Sequence, residues 1–478
     1  MKDSIMSAHA ITSPAAALRA VLTPTDSLSV NDRAELAIES CAVPELLSAY
    51  GSPLFVISEA TLRANYRRIA AAFSAAWPAP VRILYAIKAN NNLAVRAIMH
   101  SEGAGSDCFG TAEMYATFMG GADPATVVVN GSNKSEAELA KAVELGVTVN
   151  IDGEDEIDVL ERLAAAAGTR VKVNIRLKVV PPEYASEPSD YFGLPTHLDA
   201  YLKREKWGFS AVAAAELVRR IGRCAHLTQT GFSLHVGRIS ASPRMLGLWA
   251  EETARMVVAI ERATGYFPRI VDIGGGWARE RDPESRAPAL NSHTIEVYAG
   301  AVSNAMFPLL QASAKPLPQL WLEVGRYLVG NAVCLLGTVG AVKRDLDQIW
   351  INVDCSTNTL MRVDTAGSSY HLFAATGMHR SLSERAHVVG PTCIDSLFAE
   401  NLPMPTMTRG DPIAILDAGM YAETTSTQFN GMARPATVLV SGSRHELIKR
   451  RETVEDVFAL HRIPERLRAE RSGGASTP

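Results

Sequence analysis

Residues 81–92 read VRILYAIKANNN: an apolar run that ends on a lone lysine, Lys88, and then breaks into small polar residues. Such a run fits a strand covered on both faces, as strands of parallel sheets are. The same pattern recurs down the chain, in VRILYAI (81–87), GSDC (105–108), TVVVN (126–130), VTVNI (147–151), VKVNIRL (171–177), TGFSLH (230–235), RIVDI (269–273) and QLWLE (319–323). Amphipathic helices lie between them. SEAELAKAVELG opens with a capping box, Ser135 to Glu138, and stops at Gly146. Residues 58–73 set Leu62, Tyr66, Ile69 and Phe73 on one face. GEDEIDVLERLAAAAG stops at Gly168 in the same way. Strands alternating with helices imply an α/β fold, and eight repeats favour a closed (β/α)8 barrel of the TIM type. The strand ends carry Lys88, Asp107, Asn130, Asp152, Arg176, His235, the glycines Gly274, Gly275 and Gly276, and Glu323. A barrel gathers those ends on one face, where its active site sits. That loops begin with polar residues explains one or two such ends, not eight.

Past residue 325 the helical period fades into short apolar segments, TVGAVK, QIWINVD, HVVG, DPIAILDAG and ATVLVSG, which read as an all-β domain. The segment 41–58, CAVPELLSAYGSPLFVIS, resembles strand and turn material that pairs with it. The chain therefore divides into a weakly ordered extension (1–40), a β-domain (41–56 with 319–462), the barrel (57–318) and a flexible tail (463–478). Two longer loops, 181–205 and 277–292, are candidates for lids or interface elements. The net charge of -4 over 478 residues gives no electrostatic reason to expect nucleic acid or an anionic membrane as partner. The longest apolar run, Tyr327 to Val342, is interrupted by Gly330, Asn331, Gly337 and Gly340, so no membrane helix is expected. The N-terminal segment lacks the features of a secretory signal. The 6 cysteines are scattered without zinc-ligand spacing, which fits reduced thiols in the cytoplasm and no metal site.

Among residues that carry chemistry, Lys88 comes first. Most lysines are solvated, but one at a barrel strand end points into the mouth, where desolvation lowers its pKa and a neutral amine can form a Schiff base. The glycines of VDIGGGW are either a tight turn or an anion cradle, or both. Glu323, ending a buried strand, needs a partner, and a pyridinium N–H would serve. Arg326 lies where it reaches a phosphate, or else makes a plain ion pair with Glu323 or another acid at the barrel mouth. His235 is a satisfied rim histidine or a stacking group over a planar cofactor. Cys393, after glycine and proline, reads as an inert thiol or as an exposed proton donor.

The set YAIKANNN, GAGSDCFGTAEM, NGSNKSEAELAKAV, KWGFS, GFSLHVG, VDIGGGW, EVGR, VVGPTC and LDAGMYAETTSTQFNG, in order over residues 50–455, resembles the fold type III decarboxylases. That family includes the diaminopimelate and the ornithine/arginine decarboxylases. The resemblance implies an alanine-racemase-like barrel with a C-terminal β-domain, a homodimer with active sites at its interface, and pyridoxal 5'-phosphate as cofactor. It marks Lys88 as the Schiff-base lysine, His235 as the stacking residue, Gly274, Gly275, Gly276 and Arg326 as the phosphate site, and Glu323 as the partner of the ring nitrogen. Asp107, Glu113 and Arg176 match polar positions around the cofactor. Cys393 resembles the thiol that enters the neighbouring subunit's site, and Tyr421 the tyrosine near the phosphate. Arg326, Arg362, Asp395 and Tyr421 are the expected substrate contacts. This chain also departs from the diaminopimelate enzymes. Ser233 and Arg238 replace a histidine and a serine, Ile394 stands for the glutamate after the cysteine, and Ala366 for the tyrosine four residues after Arg362.

What the resemblance implies is loss of CO2 from Cα of an amino-acid substrate through an external aldimine, with meso-diaminopimelate to L-lysine as the leading reaction. Another diamino acid, of ornithine or lysine type, or a specialised biosynthetic intermediate is the alternative. A racemase on the same barrel would place arginine, not Glu323, at the ring nitrogen. An inactive paralogue would have no reason to keep Lys88, Glu323 and Cys393 together.

Overall fold

The computed structural model describes residues 12–187, 197–235, 237, 242–285, 290–394 and 397–468. Eight parallel strands run in chain order round a closed barrel. They are β1 (Val81–Ala86), β2 (Gly105–Phe109), β3 (Val127–Asn130), β4 (Thr148–Ile151), β5 (Val171–Arg176), β6 (Leu227–Ser233), β7 (Ile270–Asp272) and β8 (Gln319–Val324). β8 closes on β1 with Leu320 opposite Val81. Each strand expected from the sequence is present. The outward side chains, such as Val127, Val129, Val149 and Val173, join the main core beneath the helices. Inside, Leu84, Val128 and Trp321 form a small separate apolar plug. Because side chains alternate, the residues two positions on, Ala86, Asn130 and Glu323, sit above that plug on the same inner face. The barrel is thus dry and apolar below, polar above.

The second domain is a 9-stranded mixed sheet. Its long strand Val333–Asp345 pairs antiparallel with Gln348–Val353 and with Leu54–Ser58, and the latter lies parallel to Ala436–Ser441. Three expectations need correction. The segment 43–50, expected as strand and turn, is a helix, Val43–Tyr50, with proline in its first turn where the missing N–H costs nothing. Residues 319–324 close the barrel rather than belonging to the β-domain.

The third concerns the extension, expected to be weakly ordered to residue 40. From residue 12 onward it is built into the fold. Ser13 accepts from the Ala16 N–H to cap the helix Pro14–Val21, and Leu18, Leu36 and Ile38 are buried against the β-domain. Its alanine, serine and threonine content hid a short apolar face. Of the expected flexible tail, residues 463–468 are described and hold a short turn, Glu465–Leu467; residues 469–478 lie outside the described set. In the first candidate lid, Pro182–Ser186 is a short turn and Leu198–Arg204 a helix, while 188–196 are outside the described residues.

The second candidate lid turns inward at the junction of extension, barrel and β-domain. Arg281, with its side chain 1 % exposed, donates from Nη1 to Asp26 at 2.8 Å and from Nε to Asp417 at 2.6 Å. Asp26 also accepts from Asn331 Nδ2 at 2.7 Å. One buried cation thus ties three parts of the chain together. Removing one member leaves buried charges without a counter-ion, so Arg281→Ala should lose about 3–5 kcal/mol in a urea unfolding series. A loss under about 1 kcal/mol would mean that water replaces the guanidinium at no cost.

Candidate active site

Lys88 follows β1 in a single 3-10 turn, Ile87–Ala89. Its Nζ donates to Asp107 Oδ2 at 2.6 Å. Asp107 Oδ1 accepts from Asn130 Nδ2 at 2.7 Å, and that amide donates again to Glu323 Oε1 at 2.6 Å. Lysine and glutamate, from β1 and β8, thus stand at the same end of the barrel, joined through side chains of β2 and β3. Both line a cavity of about 460 Å³ with Phe109, Arg176, Trp207 and His235. That volume accommodates a small cofactor with its substrate.

The polar chain continues round the interior. Asn150 Nδ2 donates to Asn130 Oδ1 at 3.0 Å, Asn174 Nδ2 to Asn150 Oδ1 at 2.9 Å, and Thr230 Oγ1 to Asn174 Oδ1 at 2.7 Å. Each amide spends its oxygen on one neighbour and its nitrogen on the other, which fixes all three rotamers. Sequence reasoning named Asn130 only as a strand end and passed over Asn150 and Asn174. The signal was the shared V-N-I of VTVNI and VKVNIRL, an amide at a strand position flanked by β-branched residues.

Burial alone would push Lys88 below the ordinary lysine pKa, as expected from the sequence. The charges of Asp107 and Glu323 outweigh it, and the amine is held above that value, so it stays protonated in the free chain. Burial raises Glu323 well above the usual carboxylate range, and the nearby charges of Asp107 and Asp272 raise it further. Asp272 is pushed up to about 7, chiefly by burial, and it is hydrogen-bonded to Glu323. The two carboxyls together hold a proton at the floor of the cavity. Burial, then the charges of Lys88 and Arg176, lowers His235 to about 3, so its ring is neutral although one face is open to the cavity. Gly275 N–H donates to its Nδ1 at 3.3 Å, which places the ring proton on Nε2.

The three glycines are needed for more than a turn. A Cβ on Gly275 would lie 2.1 Å from the Glu323 carbonyl oxygen, and one on Gly276 2.0 Å from that of Gly237. Gly274 and Gly276 also have φ of +69° and +91°. Gly274 N–H donates to Asp272 Oδ1 at 2.9 Å. Glu113 accepts from Phe109 N–H at 2.7 Å, at the start of the helix after β2. Arg176 lies 4.8 Å over the Trp207 ring and 3.5 Å from Asp152.

Arg326 forms ion pairs with acids other than Glu323. Its Nη1 donates to both oxygens of Asp282 at 2.8 Å and its Nη2 to Glu284 Oε2 at 2.7 Å. Arg362 Nε donates to the other oxygen of Glu284 at 2.5 Å. Tyr421 joins this group to the lysine turn: its N–H donates to the Ala89 carbonyl at 2.7 Å, and its ring centroid lies 5.8 and 5.5 Å from the guanidiniums of Arg326 and Arg362. Cys393 is exposed on the β-domain, its N–H donating to Asn430 Oδ1 at 3.2 Å, and does not line the cavity of Lys88. Asp395 and Arg238 lie outside the described residues.

A barrel with a primary amine at its mouth, a protonated carboxyl pair beneath and a neutral imidazole beside them defines a carbonyl-cofactor enzyme. The donor set fits pyridoxal 5'-phosphate: Lys88 offers an amine for its aldehyde, Glu323 a carboxyl for its ring nitrogen, and His235 a neutral ring beside both. Residues 59–330 match the pyridoxal-binding domain of the pyridoxal-dependent decarboxylases. The chain is 31% identical over 441 residues to the diaminopimelate decarboxylase of Methanothermobacter thermautotrophicus, covering 92% of this chain and 98% of that one. The crystal structure of diaminopimelate decarboxylase from M. jannaschii superposes with a TM-score of 0.84 at 25% identity, covering 92% of this chain and 99% of that one. Its complex with L-lysine superposes equally well, with a TM-score of 0.84 at 24% identity over 93% of this chain and 100% of that one. This chain belongs to the pyridoxal-dependent decarboxylase family: it is a carboxy-lyase, and its cofactor is pyridoxal 5'-phosphate.

The carboxyl pair makes a pH prediction. Asp272 titrates at 3.8 when unperturbed and near 7 when folded, so between those values the folded chain binds the extra proton. Its contribution to stability is complete below pH 3.8 and is lost as the pH rises through about 7. Asp272→Asn removes that dependence. Unfolding free energies at a series of pH values should therefore differ between parent and variant with a slope of up to about 1.4 kcal/mol per pH unit across that window. Parallel curves would show that Asp272 is ionised in the folded chain.

Proposed function

We propose that this chain removes CO2 from meso-diaminopimelate to give L-lysine, acting as a homodimer in the cytoplasm. The observation that carries the reading is that Lys88 and Glu323 share one cavity, bridged by Asp107 and Asn130. The substrate follows the name of the relative matched over nearly its whole length. A second diamino acid is favoured by one departure, Ile394 in place of an acid after Cys393.

When bound, pyridoxal 5'-phosphate supplies an aldehyde for the substrate amine and a ring that accepts the electron pair left by CO2. The chain supplies the rest. Lys88 Nζ would hold the aldehyde, and Asp107 Oδ2, at 2.6 Å, is placed to take and return the amine's proton. Glu323, with Asp272 behind it, would face the ring nitrogen and hold a proton there. His235, being neutral, would lie against the ring without setting a second cation beside Lys88. Phe109 and Trp207 wall the cavity and keep water from the reacting carbon. The glycines of 274–276 offer backbone to the phosphate. Cys393 of a second copy would stand as the proton donor toward Cα; its exposure, away from its own chain's cavity, supports that assignment. Free thiols among the described residues and the lack of any described helix long and apolar enough to cross a membrane support a cytoplasmic site.

Lys88→Ala should abolish the visible absorbance of the lysine-bound cofactor and lower CO2 release by roughly three orders of magnitude or more. Release would be followed over diaminopimelate, lysine and ornithine, with chiral analysis of the recovered amino acid. A variant that stays yellow and active, or a parent enzyme that racemises without releasing CO2, would overturn the reading. Mixing Lys88→Ala with Cys393→Ala should restore part of the activity if sites are shared between copies, and none if each chain is self-sufficient.

A further inference from the structure

The cavity of Lys88 has a second wall, carried by the end of the first candidate lid. Tyr201 and Leu202, from the helix Leu198–Arg204, line it together with Glu205, which terminates that helix, and Trp207. The wall is fastened to the barrel. Lys178 N–H donates to the Phe209 carbonyl at 2.8 Å, Phe209 N–H to the Arg176 carbonyl at 2.9 Å, and Gly208 N–H to Asp152 Oδ1 at 2.5 Å. A Cβ on Gly208 would stand 2.7 Å from the Leu177 carbonyl oxygen, so wall and strand end are in direct contact. The side chain of Glu205 is held as well. Trp207 Nε1 donates to its Oε2 at 2.7 Å, and the Trp207 ring lies against the Arg176 guanidinium at 4.8 Å. Glu205 Oε1 accepts no hydrogen bond among the described residues.

Two observations point to a cation at that oxygen. A carboxylate at the end of a helix faces the partial negative charge of its last carbonyls, a placement that works against the helix. Lys178 Nζ relieves the carbonyls, donating to that of Glu205 at 2.6 Å and to that of Lys203 at 3.4 Å, and so is turned to the backbone instead of the carboxylate. The charges along the cavity are also unevenly engaged. Lys88 is held by Asp107, Arg176 by Trp207 and Asp152, and Glu323 by Asn130 and Asp272. Of the two acids among the described lining residues, Glu323 and Glu205, Glu205 is the one with an oxygen left over. A side chain carrying a second amine would enter a cavity already lined by Lys88, Arg176 and Lys178, and would be repelled unless an acid met it. We propose that Glu205 is a specificity-determining residue that selects by charge: its Oε1 receives the ammonium of the substrate side chain, while Val179 and Leu202 cover the methylenes that lead to it. This rests on the diamino-acid reading above and names the residue, in the same chain as Lys88, that enforces it.

The test is a spectral titration of the holoenzyme with L-lysine and with L-norleucine, which lacks only the side-chain amine. The parent should bind lysine more tightly by roughly 10–100-fold. Glu205→Gln should remove most of that preference while the absorbance of the cofactor on Lys88 is unchanged, and Glu205→Asp should keep part of it. Glu205→Lys should turn the preference toward 2-aminoadipate, whose side chain ends in a carboxylate. In turnover of the diamino acid that releases CO2, the loss in Glu205→Gln should appear in KM, with kcat changed less. An equal loss of affinity for lysine and norleucine would assign Glu205 a purely structural role. A preference that survives in Glu205→Gln would give the amine another partner, and a parent without preference would have no charge selection; each of these overturns the proposal. A parent that prefers lysine through Glu205, yet releases no CO2 from diaminopimelate, lysine or ornithine, would sink the reaction reading and leave the charge selection standing.

Discussion

The site depends on one constraint: carboxyls placed inside a closed sheet must find partners there, because Asp107, Asp272 and Glu323 are buried from water. A carboxylate or ammonium in such surroundings is costly unless paired and hydrogen-bonded. The chain meets that requirement by linking Lys88, Asp107, Asn130 and Glu323 in one unbroken series, and by anchoring the series on Asn150, Asn174 and Thr230. The amides matter because they are neutral donors and acceptors at once. They carry order from one strand to the next without adding charge, so the amine and the carboxyl can face a common space in fixed positions. Beneath them, Leu84, Val128 and Trp321 seal the barrel.

The sequence was most informative where chemistry and secondary structure share a period. A strand buried on both sides has little freedom of composition, so a polar residue at its end is conspicuous, and Lys88, Asp107, His235 and Glu323 were legible for that reason. The glycines of 274–276 were legible as a motif, but not the cause. They are small because the carbonyls of Glu323 and Gly237 pass where side chains would otherwise sit. Contacts between residues far apart in the chain left no such mark. Arg326 was visible as a candidate, but its partners Asp282 and Glu284 lie in a loop whose composition, ARERDPES, reads as solvated. Asp272 was hidden inside a motif noted for its glycines. Its burial beside Glu323 depends on the strand register, which no local pattern reveals.

The same loop shows why the extension was misjudged. Arg281 faces Asp26 and Asp417 from two other parts of the chain. Acids and bases that look like surface charge in a linear reading become, at a junction, the means by which separate segments find a single arrangement. The cost of desolvating them is met only when all three are present, which makes the junction cooperative. One residue further on, the loop delivers Asp282 to Arg326, so the integrity of the junction and the geometry of the site are coupled through a short piece of backbone.

The strand Leu54–Ser58 has a consequence for biosynthesis. It precedes the whole barrel in the chain, yet its sheet neighbours are Val333–Asp345 on one side and Ala436–Ser441 on the other. On the ribosome the barrel can close while this strand still has both edges bare and two partners carrying valine and leucine remain to be made. An unpaired apolar edge of that kind is a template for mispairing with another nascent chain. Production of the enzyme should therefore be sensitive to crowding of polysomes and to chaperone supply, a burden set by the order of the gene's segments and not by the stability of the finished fold.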